Sequence, residues 1–485
     1  MPDKRKTISN ISDQGSSQKP EDSGNLPNGG KDSVEEIPPP KASSKEKTWG
    51  IYIYFAADIP DAAMRAAVWD TLATVASVGS CPLVKITAMI DLPDRDTEYY
   101  IIPPRPADPA VTRWPILPDR FLSNVNSASI ETIHDFFAWS HRNCPADNIA
   151  LIFWGHGYAI DDFDPRIRQK VANVIPTPAS GALGRAAGTF PADDGNELKL
   201  LYDVTHDSIL NNRDFAQAIR VFTETLNERK PIQVLGLDCC NMAMVEVLAE
   251  LQDLTEYVIA AETALPFKSW LSAPVLQQFL ANPGITSQLF AVGAVQDFVS
   301  YMSRSANTFV ELSACDLSGF RGLEAAIKTF VQALLPAINK HENRVAVAQA
   351  WLNDVSYLPD GIIDLASFCG LLRRTIPNNA AVDSSGIPHL TAVQRAVIAA
   401  ARNVQQAVAD VVDARGIAPP VMGRKITLST GLSIWFPPWI QFPGVRYTQM
   451  KQSKDYLFDG YSTTIFAKIT GWDCFLQKLY LLTQR

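Results

Sequence analysis

The chain lacks the features that mark several large classes of protein. It contains no run of about 20 apolar residues, so we expect no membrane partner and no membrane-spanning helix. Its seven cysteines, an odd number with two adjacent, do not resemble a disulfide framework, which favours a reducing compartment. The opening MPDKRKTISN lacks the apolar core of a secretory signal. The sequence therefore predicts a cytoplasmic location, with export by a non-standard route left open.

Clustered positive charge and several hydrolase motifs are also missing. The 43 Lys and Arg residues are outnumbered by 51 Asp and Glu residues, giving a net charge of -8. No basic cluster stands out to neutralise a phosphate backbone, so we expect no nucleic-acid partner. The sequence contains no HExxH motif, no phosphate-binding glycine loop and no GxSxG elbow. These absences narrow the enzyme classes to thiol chemistry.

Composition and element order predict an α/β protein. Residues 1–47 are rich in Ser, Pro, Gly and charged side chains, which predicts a disordered polar tail. Alternating strand and helix signals from residue 48 predict a mostly parallel sheet flanked by helices. We expect a sheet domain over residues 48–299 and a mainly helical C-terminal lobe, residues 300–485, packed on that sheet. The clearest predicted elements are strands over residues 50–56, 84–90, 149–154 and 257–261, and helices over residues 61–76, 130–141, 322–338 and 392–412.

A cysteine pair follows one apolar strand. In VLGLDCCNMAMVEVLAEL, residues 234–251, the chain must turn near Cys239 and Cys240 before a helical pattern begins. A thiol at the start of a helix meets exposed N–H groups and a positive helix end, and both favour the reactive thiolate. Buried, unreactive thiols are the alternative, because cysteine is among the most buried residue types.

A histidine follows a second apolar strand. The run IALIFWGHGY places Gly155, His156 and Gly157 directly after that strand. The carboxyl ends of parallel strands share one edge, so His156 and Cys240 can converge although 84 positions (240 minus 156) separate them. Such a pair forms a catalytic dyad, and the flanking glycines admit a substrate and leave the Gly157 N–H for an oxyanion. A partly buried structural histidine is the alternative.

At these residues the chain resembles the clostripain family of cysteine peptidases, a branch of the caspase-like fold. The matching signatures are the pair His156 and Gly157 and the set Asp238, Cys240, Met242, Met244, Val245 and Glu246. WGIYIYFAAD, NVNSASIETIHDFFAW and GLSIWFP are also similar to the family's corresponding stretches. The resemblance implies a cysteine endopeptidase with Cys240 as nucleophile, His156 as proton carrier, and the N–H groups of Gly157 and Cys240 as oxyanion donors.

The resemblance leads to two opposite predictions for the preferred P1 residue, which is the residue that precedes the scissile bond. Members that cut after Arg or Lys use acidic residues in the pocket, and Asp238 matches one of them, with helix capping as its alternative role. The second acid lies in a Pro-Gly-Asp-Gly-Trp type segment, where this chain has Lys268 followed by Ser269 and Trp270. A lysine there would repel Arg or Lys and favour an acidic or neutral side chain. Asp238, Lys268 and Trp270 are therefore the candidate substrate-binding residues, with the preference left open.

Activation, cofactor and partners follow from the same resemblance. Residues 158–203 form a long polar connection between the dyad residues, and the corresponding family segment can be cut by the enzyme itself. An uncleaved surface insertion is the alternative. Some members need calcium, so the resemblance leaves calcium open, but no loop of regularly spaced carboxylates occurs here to support it. We therefore expect no cofactor and name no metal ligands. We expect polypeptide substrates and a monomer. The alternative function is a catalytically inactive scaffold, which is suggested by Lys268 at a position where the family has an acidic residue.

Overall fold

A computed structural model gives the fold and describes residues 47–59, 61–93, 95–105, 116–159, 199–305, 310–358, 361–418, 429–437 and 461–483. Its strands are β1 (Trp49–Ala56), β2 (Val84–Asp91), β3 (Thr97–Ile101), β4 (Arg120–Leu122), β5 (Asn148–Trp154), β6 (Gly157–Ala159), β7 (Lys199–Asp203), β8 (Ser208–Asn211), β9 (Ile232–Asp238), β10 (Thr255–Ala260), β11 (Val310–Asp316), β12 (Ser356–Leu358), β13 (Ile362–Asp364), β14 (Val412–Ala418) and β15 (Ser433–Trp435). Its helices are α1 (Ala62–Val78), α2 (Ile130–Asn143), α3 (Asn212–Thr225), α4 (Val245–Leu251), α5 (Ala273–Ala281), α6 (Ser287–Ser305), α7 (Phe320–Ala337), α8 (His341–Asn353), α9 (Leu365–Asn378), α10 (Ala392–Val411), α11 (Ile465–Thr470) and α12 (Trp472–Thr483).

The described strands build one large sheet and two small ones. The large sheet has nine strands in the order β14-β11-β10-β9-β5-β1-β2-β3-β4. The five central strands, β10 to β2 in that order, pair in parallel, and the two strands at each edge pair antiparallel. The small sheets are β12-β13-β15 and β6-β7-β8. The predicted mostly parallel sheet flanked by helices is confirmed.

Both faces of the central strands are buried, which explains their continuous apolar sequences. In β1, Tyr52 and Tyr54 point into the core shared with α2, α3, α4 and the C-terminal helices. Ile51 and Ile53 point into the opposite core, which α1, α5 and α6 cover. Successive side chains of a strand alternate between the faces, so a strand between two helical layers needs apolar residues at every position.

Several predicted elements match within a few residues. Helix α2 begins at Ile130 as predicted, and the Ser129 side chain caps it by accepting a hydrogen bond from the Thr132 N–H. The edge strands β3 and β4 were not predicted, because short antiparallel edges carry little periodic signal. In the described part of the chain, no helix combines the length and the apolar character needed to cross a bilayer.

The structure shows no break at the predicted division between residues 299 and 300. That position lies inside α6 (Ser287–Ser305), which packs on the sheet. Beyond it, β11 and β14 add two antiparallel strands to the same sheet. The C-terminal part therefore extends the sheet as well as covering it with helices. Most of the predicted tail, residues 1–46, lies outside the described residues.

Candidate active site

Two neighbouring parallel strands bring the predicted dyad residues to one edge of the sheet. Strands β5 and β9 pair in register, with Trp154 opposite Asp238 at their carboxyl ends. His156 and Cys240 each lie two residues beyond that pair, so the chain presents them at equal offsets from adjacent strand ends. This is the common edge that the sequence predicts for them.

The backbone after the histidine lies directly against the cysteine. A Cβ atom added to Gly157 would lie 2.1 Å from the Cys240 carbonyl oxygen and 2.9 Å from the Cys240 nitrogen. Real Cβ atoms essentially never approach so closely, so only glycine fits without displacing the backbone. Gly157 is thus a steric requirement for bringing the His156 segment next to Cys240.

The two adjacent cysteines have different surroundings. Cys240 is partly exposed, and the Leu265 N–H donates a hydrogen bond to its Sγ over 3.3 Å. Cys239 is fully buried, and its thiol donates to the Phe153 carbonyl oxygen over 3.7 Å. Burial raises the pKa of the Cys239 thiol well above its ordinary value. Of the pair, Cys240 is therefore the thiol that a substrate can reach.

The predicted start of a helix at the cysteine pair is wrong. Helix α4 begins only at Val245 and has seven residues. The Asn241 N–H instead donates to Thr263 O, and the Ala243 N–H to Ala261 O, each over 2.9 Å. After Cys240 the chain therefore runs beside the segment that follows β10, and it is not helical before Val245. Because a helix dipole acts within its first turn, α4 gives no support for the predicted stabilisation of a Cys240 thiolate.

Asp238 is a buried carboxyl group that holds the neighbouring loop. Its side chain accepts a hydrogen bond from the Ser269 hydroxyl. Burial raises its pKa to about 7, although hydrogen bonds from Ser269 and the Trp270 backbone oppose the increase. The alternative role as a helix cap is wrong, because Met244 is the N-cap residue of α4. Asp238 therefore fixes the loop that carries Lys268 to the end of β9.

The other two predicted substrate contacts differ in exposure. Lys268 is exposed, and its ammonium group donates to the Tyr301 hydroxyl and lies 4.5 Å from the centre of that ring. Trp270 is fully buried against Gly236, where an added Cβ atom would lie 2.5 Å from the indole. Contrary to the sequence-based expectation, Trp270 is a core residue with no side-chain surface open to a substrate.

A small sheet supports the histidine. The Leu201 N–H donates to the His156 carbonyl oxygen over 3.0 Å, and β6 pairs with β7 in this region. The predicted loop over residues 158–203 is thus bounded by strands, since β6 reaches Ala159 and β7 covers Lys199–Asp203. Residues 160–198 lie outside the described residues.

The fold also assembles a cluster that the sequence analysis did not predict. Asp58, Asp203 and His206 each place one potential metal-ligand atom within 4.8 Å of the others. Asp58 and Asp203 are 145 positions apart (203 minus 58), so no local motif could have indicated the cluster. The nearest sequence signal is that both aspartates follow apolar runs.

Comparisons with known proteins agree with this architecture. Residues 198–384, which include Cys240 but not His156, match the sequence model of the clostripain family of peptidases, C11. None of the curated proteins compared with the chain is significantly similar to it. The chain is similar to the structure of an inactive zymogen C11 protease from Parabacteroides distasonis, with 14% identity, a TM-score of 0.56, and coverage of 88% of this chain and 99% of that one.

A second similar structure is a secreted C11 cysteine protease from Bacteroides thetaiotaomicron bound to an irreversible peptide inhibitor. Its identity is 14% and its TM-score 0.53, with 88% of this chain and 99% of that one covered. At such identity the structural likeness establishes the fold, and the sequence match over residues 198–384 shows a resemblance to the clostripain family in that part of the chain. Together they confirm the predicted resemblance and the predicted class of cysteine-type peptidase.

Proposed function

Because the chain matches the clostripain family of cysteine peptidases, we propose that it is an endopeptidase that hydrolyses internal peptide bonds through Cys240 and His156. The observation that carries this proposal is the equal offset of both residues from the paired strand ends at Trp154 and Asp238. The partly exposed Cys240 beside a buried Cys239 supports the choice of nucleophile.

In the proposed reaction the Cys240 thiolate attacks the carbonyl carbon of the scissile bond. His156 takes the thiol proton and then donates it to the leaving amine, so that an acyl-enzyme forms on sulfur. Water activated by His156 hydrolyses this intermediate and restores the thiol. The N–H groups of Gly157 and Cys240 are the proposed donors to the oxyanion, and the close approach of Gly157 to the Cys240 peptide supports their pairing.

Substrate preference is proposed to depend on the segment that Asp238 holds. If the Asp238 carboxylate contributes negative charge to the pocket, the enzyme cuts after Arg or Lys. If Lys268 faces the substrate, that cation repels basic residues and favours acidic or neutral ones. The buried position of Asp238 and the contact of Lys268 with Tyr301 support a pocket less acidic than the family pattern implies.

We also propose that the protein cleaves itself between the dyad residues, as the resemblance to the family implies. Strands β6 and β7 hold both ends of the intervening segment next to His156. The similar Parabacteroides distasonis structure is named as an inactive zymogen, which supports an activation step here. Intact-mass measurement of the purified protein should show two fragments, cut within residues 158–203, whose masses sum to that of the full chain plus one water.

Cys240→Ala is the matched control for self-cleavage. It should remain a single full-length species under the same incubation, because the nucleophile is missing. Full-length protein alone in both samples would remove the self-cleavage step and leave the uncleaved insertion. Fragments in both samples would assign the cut to another peptidase.

One observation favours a second function, a scaffold that kept the fold without turnover. Lys268 stands where the family pattern has an acid, and it is already bonded to Tyr301. Peptide hydrolysis lost in both Cys240→Ala and His156→Ala distinguishes the peptidase from this scaffold. Each substitution should remove nearly all activity, because dyad residues act as a unit.

A further inference from the structure

The main chain of Leu265 lies against the sulfur atom of the proposed nucleophile. The Leu265 N–H donates a hydrogen bond to Cys240 Sγ over 3.3 Å. The Leu265 carbonyl oxygen lies 3.8 Å from the same sulfur, where it accepts from the thiol. An N–H donor favours the thiolate and a carbonyl oxygen favours the thiol. Because the N–H contact is the shorter one, the balance of the two contacts favours the thiolate.

Hydrogen bonds fix the segment that carries Leu265 beside the nucleophile. The N–H groups of Asn241 and Ala243 donate to the carbonyl oxygens of Thr263 and Ala261, respectively, each over 2.9 Å. As the residue number rises by two on the first segment, it falls by two on the second, so the two segments run in opposite directions. This register brings residue 265 next to the sulfur.

A buried acid holds the same segment to later parts of the chain. The Glu262 N–H donates to Glu311 Oε2 over 2.7 Å. The Ser429 hydroxyl and the Gly431 N–H donate to Glu262 Oε2 over 2.6 Å and 3.0 Å. Both acids are 0% exposed. A donor on a segment fixed in this way is already in position before the reaction, so its hydrogen bond needs no reorganisation.

The dipole of α4 does not act on Cys240, because that helix begins only at Val245. We propose that the main-chain N–H of Leu265 takes this role and is a catalytic donor that stabilises the Cys240 thiolate before attack. The inference rests on the proposed peptidase function and adds a group to it. This donor serves the sulfur, whereas the proposed oxyanion donors serve the substrate oxygen.

Loss of the N–H should have opposite effects at low and high pH. The midpoint of the profile of Cys240 alkylation against pH should rise by about 1 pH unit. Nucleophilicity increases with thiol basicity along a Brønsted slope of about 0.4–0.5, so each thiolate should react about 3-fold faster. Below both midpoints about 10-fold less thiolate is present, so the rate should be about 3-fold lower. Above both midpoints the rate should be about 3-fold higher. A purely structural change would not produce this crossing.

The titratable groups in the described segments around the sulfur must stay the same within each comparison. His156, the proposed proton acceptor, is therefore replaced by alanine in every protein tested. Burial raises the pKa of Asp238 to about 7 and that of Cys239 well above its ordinary value. Lys268, on the segment after β10, donates to the Tyr301 hydroxyl. These four residues are present in all the proteins compared, so a difference in midpoint reports the N–H of residue 265.

The test is the rate of alkylation of Cys240 by iodoacetamide from about pH 5 to about pH 10, measured on the Cys240 peptide by mass spectrometry. The parent is full-length His156→Ala protein. In that background Leu265→Pro removes the N–H, and Leu265→Ala, which keeps it, is the matched control. A second variant carries leucic acid at position 265, so that an ester replaces the amide and the side chain is kept; its control is the parent. Each protein without the N–H should show the higher midpoint and a profile that crosses that of its control.

Two results would overturn the donor. One is an equal midpoint in the ester variant and the parent, and the other is a rate lowered by the same factor at every pH, which indicates reduced access to the sulfur. If Leu265→Pro does not fold, the ester variant decides by the same criteria. The assay needs no turnover, so the two proposals fail separately. A raised midpoint supports the donor even if wild type cuts no peptide, and an unchanged midpoint overturns it even if wild type is active.

Discussion

Gly157 is the residue whose identity the site geometry restricts most. A methyl group there would lie 2.1 Å from the Cys240 carbonyl oxygen, so Gly157→Ala must push the His156 segment and the Cys240 turn apart. A shift of about 1 Å in reacting groups can cost about 100-fold in rate. We therefore expect Gly157→Ala to lower kcat/KM for a peptide substrate by at least that order.

Gly322→Ala is the matched control for this substitution. Gly322 lies in α7, and an added Cβ atom would meet nothing within 4 Å. Alanine there should leave activity unchanged and stabilise the helix by about 0.5–1 kcal/mol. Full activity in Gly157→Ala would show that the close approach to Cys240 is unimportant for turnover.

At the residue scale, the sequence predicted the location of side chains that directly follow continuous apolar strands. His156 and Cys240 follow apolar runs that the structure shows as β5 and β9, so their shared edge was predictable. Trp270 was not predictable in the same way. Its sequence neighbours do not show that its indole fills the space beside Gly236, because burial depends on residues distant in the chain.

At the scale of elements, helix α4 connects the nucleophile segment to the C-terminal part. All seven of its residues are buried. Its Glu246 Oε1 accepts hydrogen bonds from the Trp435 N–H over 3.0 Å and from the Tyr461 hydroxyl over 2.8 Å. The acid that ends the family-like signature thus has a structural role here, binding β15 and the start of the last helical segment.

This buried acid predicts a pH-dependent stability. Burial raises the pKa of Glu246 from 4.5 to about 7. Between those values the folded state holds a proton that the unfolded state has lost, so the free energy of unfolding falls as pH rises, and the loss is complete above about pH 7. Glu246→Gln keeps an acceptor oxygen and removes this titration. In urea unfolding of Cys240→Ala protein, the fall between pH 5 and pH 8 should shrink by up to about 3 kcal/mol.

Glu224→Gln, at an exposed site on α3, is the control and should keep the full pH dependence. An unchanged slope in Glu246→Gln would contradict the assignment of a titrating proton to Glu246. Some slope should remain, because burial also raises the pKa of Asp238 and of Glu311 to about 7.

Element prediction failed at edges and at one helix start. The antiparallel strands β11 and β14 lie in a region of helical patterns, and polar or glycine residues interrupt both sequences, so neither gives a continuous apolar run. The helix after Cys240 begins five residues late because the N–H groups of Asn241 and Ala243 bond to the chain beyond β10. Asn241 takes a left-handed φ of 57°, which asparagine tolerates better than most residues. Tertiary hydrogen bonds of this kind leave no periodic mark on a sequence.

In the whole molecule, one edge of the sheet carries both the proposed catalytic residues and a second cluster of polar residues. The dyad follows β5 and β9, and the cluster of Asp58, Asp203 and His206 lies near the ends of β1 and β7. The order of strands predicted the first group, because each of its residues follows a strong apolar strand. The second group depends on how β7 returns beside His156, which requires the three-dimensional fold.

The central claim, peptide-bond hydrolysis by Cys240 with His156, is most directly tested by cleavage of a diverse peptide library, with cut sites identified by mass spectrometry. Wild-type protein should cut a defined set of peptides, and Cys240→Ala and His156→Ala should cut almost none. Asp238→Asn in the same assay shows whether that carboxylate selects basic residues before the cut. Cuts that persist in Cys240→Ala, or no cuts by wild type even after nicking within residues 158–203, would contradict the account and favour the scaffold.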